Sequence, residues 1–380
     1  MSNQRLDFID SLRGIAIIGV IITHTSSICK LSGLSRDFAN IGQYGVQLFF
    51  VVSAFTIFFS LSNSDGRKFQ IRDFFIKRLF RIIPVYWLGI ILYTIIYGVN
   101  SRGWRDAPEL WHFPVHALLL NVLWPTTSSS VVPGGWSISC EVLFYLSVPL
   151  LYTHFKSQRR ILLFVTATVI VWPFINHFLQ KWISPLLFSN IEPGIAKQFW
   201  YRWLPNQLGC FAFGMVLFYL FKHKTKIAFL SNKKLNLILL LGLISLLPVI
   251  KFFVPYIFVH YTYALIFMCI GLLLSFHNWS IIVNKATIFI GKISFSCYLL
   301  HFIVLERGFH YLTSYVPLTS QNTMSIFGLM LIIGFAITLP LAYLSFNLIE
   351  ENATKLGRKL IKHLNAKQEG KDLSKEVIGA

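Results

Sequence analysis

Two polar residues interrupt the first apolar segment of the chain, and their types and spacing could support chemistry. Arg13 and His24 lie in a largely apolar run that is typical of a membrane helix. Eleven residues at about 100° each complete about three turns, so the two side chains share one helix face about 16 Å apart. Because ionisable groups inside a membrane are costly, they usually mark functional sites. The run therefore predicts a cation near one membrane surface and a proton-transfer group deep inside.

Each of these two residues also has a purely structural interpretation. Arg13 could be an arginine at a helix end whose charged head extends to the membrane surface. His24 could be a buried histidine that is hydrogen-bonded to a neighbouring helix. The rest of the sequence has to decide between these interpretations.

The composition predicts a multi-pass membrane protein. The 380 residues are 55% hydrophobic and 13% charged, whereas soluble domains carry about 25% charged residues. The net charge of +19 does not predict a nucleic-acid partner, because the basic residues fall mostly between apolar segments and serve as orientation signals. The five cysteines are scattered without the spacing of a metal site, so no metal is expected.

Apolar segments and basic residues together predict an all-α membrane protein with about ten transmembrane helices. The segments are 9–28, 44–62, 83–100, 136–154, 161–179, 203–221, 235–251, 257–276, 288–306 and 323–346. If both termini are cytosolic, 25 of the 34 basic residues fall on the cytosolic side. The short stretch Leu110–Trp124 is then a re-entrant or interfacial helix on the outer side.

A basic cluster precedes the third apolar segment. Lys77, Arg78 and Arg81 follow one another at helical spacing, and Pro84 is expected in the first turn of the next helix. The cluster could simply anchor the helix on the cytosolic side. It could instead hold phosphate groups, which lysine and arginine bind well.

Two later apolar segments also contain polar residues that could have a function. Glu141 lies about one and a half turns into the fourth segment, where a carboxylate either pairs with a basic residue or has a function. Tyr298 and His301 share one helix face in the ninth segment. His301 could also be a buried histidine without a chemical role.

The predicted orientation separates these groups into two layers. His24, Glu141 and His301 fall in the outer third of their helices, whereas Arg13, the basic cluster and Glu350 fall near the cytosolic side. A cationic inner mouth below an outer layer of two imidazoles and a carboxylate suits a particular kind of enzyme. Such an enzyme would take a phosphate-bearing donor from the cytosol and serve an acceptor outside.

The same residues stand in blocks that resemble acyltransferase family 3, the integral-membrane acyltransferases that include polysaccharide O-acetyltransferases. The blocks are Asp10-x-Leu-Arg13-Gly with His24, Gly45 to Ser53-Ala54-Phe, Lys77 to Trp87, Trp136 to Tyr145 around Glu141, Ile293 to His301, and Ile349-Glu350. Ala54 replaces a usual glycine, and Glu351 stands where a proline usually follows. The resemblance runs from about residue 7 to 350.

The resemblance implies ten helices, an acyl-CoA donor and, usually, a hydroxyl acceptor on a glycan. We therefore expect a transmembrane acyltransferase domain over 1–350, followed by a short basic cytosolic tail over 351–380. The expected cellular location is a bacterial-type inner membrane. Acyl-CoA, most simply acetyl-CoA, would be a co-substrate rather than a bound cofactor. Expected partners are the lipid bilayer, a glycan or lipid-linked glycan acceptor and polysaccharide-assembly proteins.

The expected roles follow from the chemistry of each residue and from the resemblance. His24 would act as general base or carry the acyl group transiently, because its pKa lies near neutrality. Glu141 would orient or charge-stabilise an imidazole. Donor binding is assigned to Arg13, Lys77, Arg78 and Arg81, and the substrate site to Asp10, Ser53, Trp136, Tyr298 and His301.

Other functions remain open at this point. A transporter would use the same polar residues as a proton or solute path, although no inverted repeat is visible. A non-catalytic partner of a polysaccharide-assembly complex would tolerate the loss of His24. Within the enzyme class, the acceptor could be a lipid headgroup, a peptide or a small molecule, and the acyl group could be succinyl or longer.

The charge asymmetry makes the orientation testable. We expect single cysteines placed at Lys68 and Lys226 to be labelled from the cytosol, and those at Arg105 and Lys197 from outside, because basic loops stay cytosolic. The measurement is labelling of intact cells with a membrane-impermeant maleimide. Labelling of position 226 from outside would overturn the depth assignment of every polar residue.

Overall fold

The computed structural model describes residues 6–66, 69–99, 108–155 and 157–378, with side chains as far as 367, and throughout these ranges the fold is helical without strands. Lys68 and Arg105, two of the labelling positions, lie outside the described residues. The α-helices are α1 Asp7–Ile28, α2 Gly33–Ala39, α3 Gly45–Ser62, α4 Gln70–Tyr97, α5 His112–Ala117, α6 Gly135–His154, α7 Gln158–Thr166, α8 Trp172–Phe178, α9 Ser184–Leu187, α10 Pro193–Arg202, α11 Leu204–Lys222, α12 Lys233–Leu246, α13 Ile250–Phe253, α14 Val259–Phe276, α15 Lys285–Lys292, α16 Ser294–Tyr315, α17 Thr323–Ser345 and α18 Glu351–Ile378. Short 3₁₀ segments cover Asn40–Tyr44, Lys224–Ser231 and Tyr256–Phe258, and π-helical turns cover Ala167–Val171, Leu179–Ile183 and Phe346–Glu350.

The described helices confirm a multi-pass, all-α membrane protein. Eight helical stretches are long and apolar enough to cross a membrane, and two bent pairs raise the number to ten if each pair is one span. Every one of the ten apolar segments coincides with one of these stretches. The prediction of about ten transmembrane helices is therefore confirmed, with eight to ten candidate helices among the described residues.

Helix α4 departs from the prediction because it begins earlier. It runs without a break over Gln70–Tyr97, so the basic cluster and the apolar segment form one helix. Pro84 lies inside this helix rather than in its first turn, and that prediction was wrong. The position is tolerated in a membrane helix because neighbouring helices satisfy the backbone groups that a proline leaves unpaired.

The ninth segment is bent rather than straight. Helices α15 and α16 meet at Ile293 with an angle of 79°. A capping box starts α15, in which the side-chain oxygen of Asn284 accepts hydrogen bonds from the backbone N–H groups of Ala286 and Thr287. This cap was readable in the sequence and marks a separate short helix before α16.

The stretch Leu110–Trp124 contains no helix long enough to cross a membrane. It holds only the short helix α5, and irregular backbone then leads to Gly134 at the start of α6. His116 is fully buried beside it and lies 2.9 Å from the hydroxyl of Tyr86 and 2.7 Å from the carbonyl of Thr127. The structure thus shows a segment that packs against α4, and its re-entrant or interfacial position on the outer side stays a prediction.

Helix α1 lies at the centre of the bundle, in contact with α3, α15, α16 and α17. Close approaches at glycines bring this about. A Cβ on Gly14 would overlap the carbonyl oxygen of Thr287, and a Cβ on Gly291 would overlap that of Asp10. Small residues let the backbones of membrane helices approach closely, so α1 and α15 are held together by backbone packing.

Helix α18 continues from α17 through the π-helical turn and packs against the amino-terminal half of α4. Gly357 lies against the ring of Phe80, and Asn365 accepts a hydrogen bond from Arg72. The predicted tail is therefore helical over Glu351–Ile378. Residues 351–367 are part of the packed structure rather than a separate appendage.

The glycine contact between α15 and α1 predicts a stability difference between two alanine variants. Gly291→Ala should lower the free energy of unfolding by about 1–3 kcal/mol, because the added methyl group forces α15 away from α1. Gly242→Ala in α12 is the matched control, since nothing lies within 4 Å of its added methyl group. Thermal unfolding of the detergent-purified variants measures the difference, and equal melting temperatures would contradict the proposed packing constraint.

Candidate active site

A cavity of about 60 Å³ lies between α1, α3, α4, α6 and α16. It is called the inner cavity, and a second one the outer cavity, after the sides that the predicted orientation gives them. Three arginines line it: Arg13 from α1, and Arg78 and Arg81 from α4. The guanidinium group of Arg78 is buried between two aromatic rings, 5.7 Å from Phe74 and 5.5 Å from Tyr145. The structure therefore brings together three of the four basic residues that the sequence assigned to donor binding.

The fourth basic residue points elsewhere. Lys77 is exposed and does not line the cavity, because one residue along a helix turns the side chain by about 100° away from Arg78. Asp10 likewise lines neither the inner nor the outer cavity, and its backbone carbonyl packs against Gly291. The structure therefore places neither Lys77 nor Asp10 in a cavity lining, and the geometry gives these two assignments no support.

Glu141 lies in the inner cavity, not beside an imidazole. Its carboxylate accepts a hydrogen bond of 2.6 Å from the hydroxyl of Tyr145 and another from the hydroxyl of Ser53. The expectation that Glu141 orients or charge-stabilises an imidazole is therefore not supported by this geometry. The reason is that this side of α6 packs toward α3, so the carboxylate shares the inner cavity with the arginines instead.

A second carboxylate fixes one of the arginines from the opposite side. The side-chain Nε of Arg81 lies 3.6 Å from the carboxylate of Glu350, which is buried and also accepts a hydrogen bond of 3.3 Å from Ser296. The ion pair joins α4 to the junction of α17 and α18. It confirms that Glu350 lies in the same layer as the arginines.

An outer cavity of about 550 Å³ contains His24. Trp136, Arg202 and Glu306 line it as well. The guanidinium group of Arg202 lies 5.7 Å from the ring of Trp136 and donates a hydrogen bond of 3.0 Å to Ser128. The carboxylate of Glu306 accepts a hydrogen bond of 2.7 Å from Tyr97. This cavity thus offers a histidine, a cation, a carboxylate and an aromatic face.

Sequence reasoning missed Arg202 and Glu306. Arg202 was readable as one of nine basic residues on the predicted outer side, where such residues are scarce. Glu306 lies in the same segment as Tyr298 and His301, near its outer end. Neither could be assigned to the cavity without knowing how α10 and α16 pack around α1.

Val46 and Tyr298 line both cavities and therefore lie between them, and these two residues are called the neck. The hydroxyl of Tyr298 accepts a hydrogen bond of 2.9 Å from Ser137 and donates one of 3.1 Å to the carbonyl of Gly134. Gly134 adopts a positive φ of 74°, which allows the chain to turn into α6 and present this carbonyl. The neck is therefore held by fixed hydrogen bonds.

The two histidines lie together at the outer cavity. Their ring centres are 5.3 Å apart, and the ring of Phe302 packs at 4.3 Å from His24 and 4.2 Å from His301. Tyr298 lies 5.7 Å from His301, as the shared helix face predicted. Only His24 lines the cavity, whereas His301 is fully buried behind it.

In chemical terms, the inner cavity suits an anionic group and the outer cavity suits a neutral or polar molecule beside a base. In the described ranges, no group of three or more histidine, cysteine, aspartate or glutamate side chains is placed to hold a metal ion. Arg13 and His24 lie on one continuous helix, so the two cavities are joined by α1 as well as by the neck.

A family model described as an acyltransferase domain matches residues 6–345. The chain belongs to acyltransferase family 3. This match includes every residue discussed above except Glu350 and the helix that follows it. Acyl transfer is therefore favoured over the transporter and assembly-partner interpretations.

Several named relatives are similar to the chain. An open reading frame of the Acidianus two-tailed virus, provisionally named as an acetyltransferase, is 26% identical over 78% of this chain and 83% of its own length. The peptidoglycan O-acetyltransferase OatA of Listeria monocytogenes is 30% identical over 39% of this chain, which spans 24% of that protein. The exopolysaccharide production protein ExoZ of Rhizobium meliloti is 31% identical over 28% of this chain and 32% of its own length. No solved structure gives a significant match.

Proposed function

We propose that this protein is an inner-membrane O-acyltransferase that moves an acyl group, most simply acetyl, from cytosolic acyl-CoA to a hydroxyl of a surface polysaccharide or its lipid-linked precursor. The observation that carries the proposal is the pair of cavities that meet at Val46 and Tyr298, with three arginines on one side and His24 on the other. Both termini are cytosolic in this proposal, so the arginines face the donor.

The donor side of the proposal rests on charge. Acyl-CoA carries phosphates at one end of a narrow, flexible arm and the acyl group at the other. Arg13, Arg78 and Arg81 would hold the phosphates, because guanidinium groups form charge-assisted hydrogen bonds to phosphate. The arm would then reach through the narrow inner cavity and bring the thioester to the neck. Glu141 would keep the arginines apart and oriented.

The acceptor side rests on the outer cavity. Its volume of about 550 Å³ lies within the range of small-molecule sites. The aromatic face of Trp136 and the polar groups of Arg202 and Glu306 suit a sugar ring with several hydroxyl groups. The names of the Listeria and Rhizobium relatives, which refer to peptidoglycan and exopolysaccharide, support a glycan acceptor.

The proposed reaction needs one base and no further reagent. His24 would take the proton from the acceptor hydroxyl while the hydroxyl oxygen bonds to the thioester carbonyl carbon. The carbon–sulfur bond then breaks, and the CoA thiolate takes up the proton from His24. General bases of this kind contribute about 10²–10⁴-fold to the rate. If His24 instead carries the acyl group, the same atoms are exchanged in two steps.

A small acyl group fits this route best. The inner cavity is much smaller than the outer one, and the neck between them is framed by Val46 and the hydrogen-bonded Tyr298. Acetyl is therefore proposed as the acyl group, with the acceptor's identity defined by the outer cavity.

Two adjacent residues on α4 test the donor site. Arg78→Ala should weaken acetyl-CoA binding by about 10- to 100-fold, because a hydrogen bond to a charged group contributes about 1.5–3 kcal/mol. Lys77→Ala should leave the affinity nearly unchanged, since its side chain points out of the cavity. Isothermal titration of purified protein with acetyl-CoA measures both. Equal affinities for the two variants, in protein that melts like the wild type, would remove the phosphate role.

Two histidine-to-alanine variants test the catalytic role of His24. His24→Ala should lower acetyl transfer by about 10²–10⁴-fold while acetyl-CoA binding persists, because only the base is lost. His310→Ala makes the same chemical change at an exposed position of α16 and should retain full activity. The measurements are acetyl content of isolated surface glycan by NMR and acetyl-CoA binding by purified protein.

Two outcomes would contradict the proposal. Full acetylation of the glycan by the His24→Ala variant would remove the catalytic assignment. An unacetylated glycan in cells with the wild-type protein, together with a proton-coupled solute flux that His24→Ala abolishes, would favour a transporter.

A further inference from the structure

His301 has a buried ring nitrogen that the proposed reaction does not yet use. Its Nδ1 lies 3.2 Å from the carbonyl oxygen of Cys297. Because a carbonyl only accepts hydrogen bonds, Nδ1 must carry the ring hydrogen, and Nε2 must be the acceptor. Nε2 is buried and has no hydrogen-bond partner within the described part of the chain. A buried acceptor left unpaired is costly, so its presence at this place calls for a function.

The distance between the rings of His24 and His301 is the distance that a hydrogen bond to this nitrogen would give. Imidazole nitrogens lie about 1.2 Å from the ring centre, so two rings joined by an N–H···N hydrogen bond of about 2.9 Å have centres about 5.3 Å apart. The ring centres of His24 and His301 are 5.3 Å apart. Because the ring centre lies close to the Cβ–Cγ axis, turning the His24 ring about this bond redirects its N–H groups and keeps the separation of the two rings.

The two rings also have the right order relative to the outer cavity. His24 lines that cavity and can meet an acceptor there, whereas His301 is fully buried and lies behind it. Phe302 packs against both rings and limits their motion. This is the arrangement of a base whose second nitrogen is held by a third group, as in nucleophile–base–orienting-residue sites.

We propose that His301 is a positioning residue that accepts a hydrogen bond from His24 and so fixes which nitrogen of His24 faces the acceptor hydroxyl. The inference rests on the proposed acyl transfer and deepens it. His24 uses one nitrogen to take the acceptor's proton and keeps the hydrogen on the other nitrogen, bonded to Nε2 of His301. No proton passes to His301, and the CoA thiolate receives the transferred proton as before.

Among the described residues, neither Glu141 nor Glu306 is hydrogen-bonded to His24. Glu141 is hydrogen-bonded to Ser53 and Tyr145 in the inner cavity, and Glu306 accepts its hydrogen bond from Tyr97. The role that a carboxylate often plays behind a catalytic histidine is therefore assigned to a neutral imidazole. A neutral orienting group suits a site from which water is excluded, because it adds no second buried charge.

Two amide variants separate the proposed role from a packing role. The side-chain oxygen of His301→Gln reaches about the position of Nε2, whereas the amide of His301→Asn ends near the position of Nδ1. The glutamine variant should keep kcat close to that of the wild type. The asparagine variant should lower kcat by about 10- to 100-fold, as is typical when the partner that orients a working histidine is lost. The KM for acetyl-CoA should not change in either variant, since the donor site is remote.

A double variant tests whether His301 acts through His24. If it does, His301→Asn should lower the residual activity of His24→Ala no further, because the group it positions is already absent. His301→Leu is added as a variant that should fold well, since it replaces an unpaired buried nitrogen with an apolar group. The readouts are steady-state acetyl transfer to isolated glycan and thermal unfolding of each purified variant.

Each outcome decides the question. Near-normal kcat for glutamine, reduced kcat for asparagine and leucine, and no further loss in the double variant would support the positioning role. Equal losses for glutamine and asparagine, a multiplied loss in the double variant, or failure of all three variants to fold would assign His301 a structural role. Acetyl transfer that is absent in the wild type would instead defeat the proposed function itself.

Discussion

The structure depends on the close approach of α1 and α15, where glycines leave no side chain between two helix backbones. Gly14 faces the carbonyl of Thr287, and Gly291 faces that of Asp10. This contact fixes α1 in the centre of the bundle, and another face of α1 lies along the two cavities. The polar residues Arg13 and His24 lie along that face. The depth and the order of both cavities follow from it, because each cavity is built around one of these two side chains.

Local features of the sequence were enough to predict the helices and several residues of the site. Hydropathy located the ten apolar segments, since about 20 apolar residues are what a bilayer requires. The eleven-residue spacing of Arg13 and His24 placed both on one face, because helical periodicity does not depend on the neighbours. Tyr298 and His301 were placed correctly for the same reason. The resemblance to a family then linked these residues to acyl transfer.

What the sequence could not supply was the packing between helices. Glu141 was expected beside an imidazole because depth alone was considered, and the rotation of α6 instead directs it to Ser53 and Tyr145. The position of Arg202 depends on how α10 meets α6, which no local pattern encodes. Lys77 is the exception. Its direction away from Arg78 follows from 100° per residue and was available from the sequence once α4 was known to be continuous.

The buried segment between α5 and α6 has a consequence for how the protein is made. Its backbone is irregular, and the fully buried His116, Asn121 and Thr127 satisfy part of it. Such backbone cannot enter lipid by itself, because its polar groups would have no partners there. It can settle only after α4 has been inserted, since the hydroxyl of Tyr86 supplies one of its contacts. The native contacts of this segment can therefore form only when α4 is already beside it.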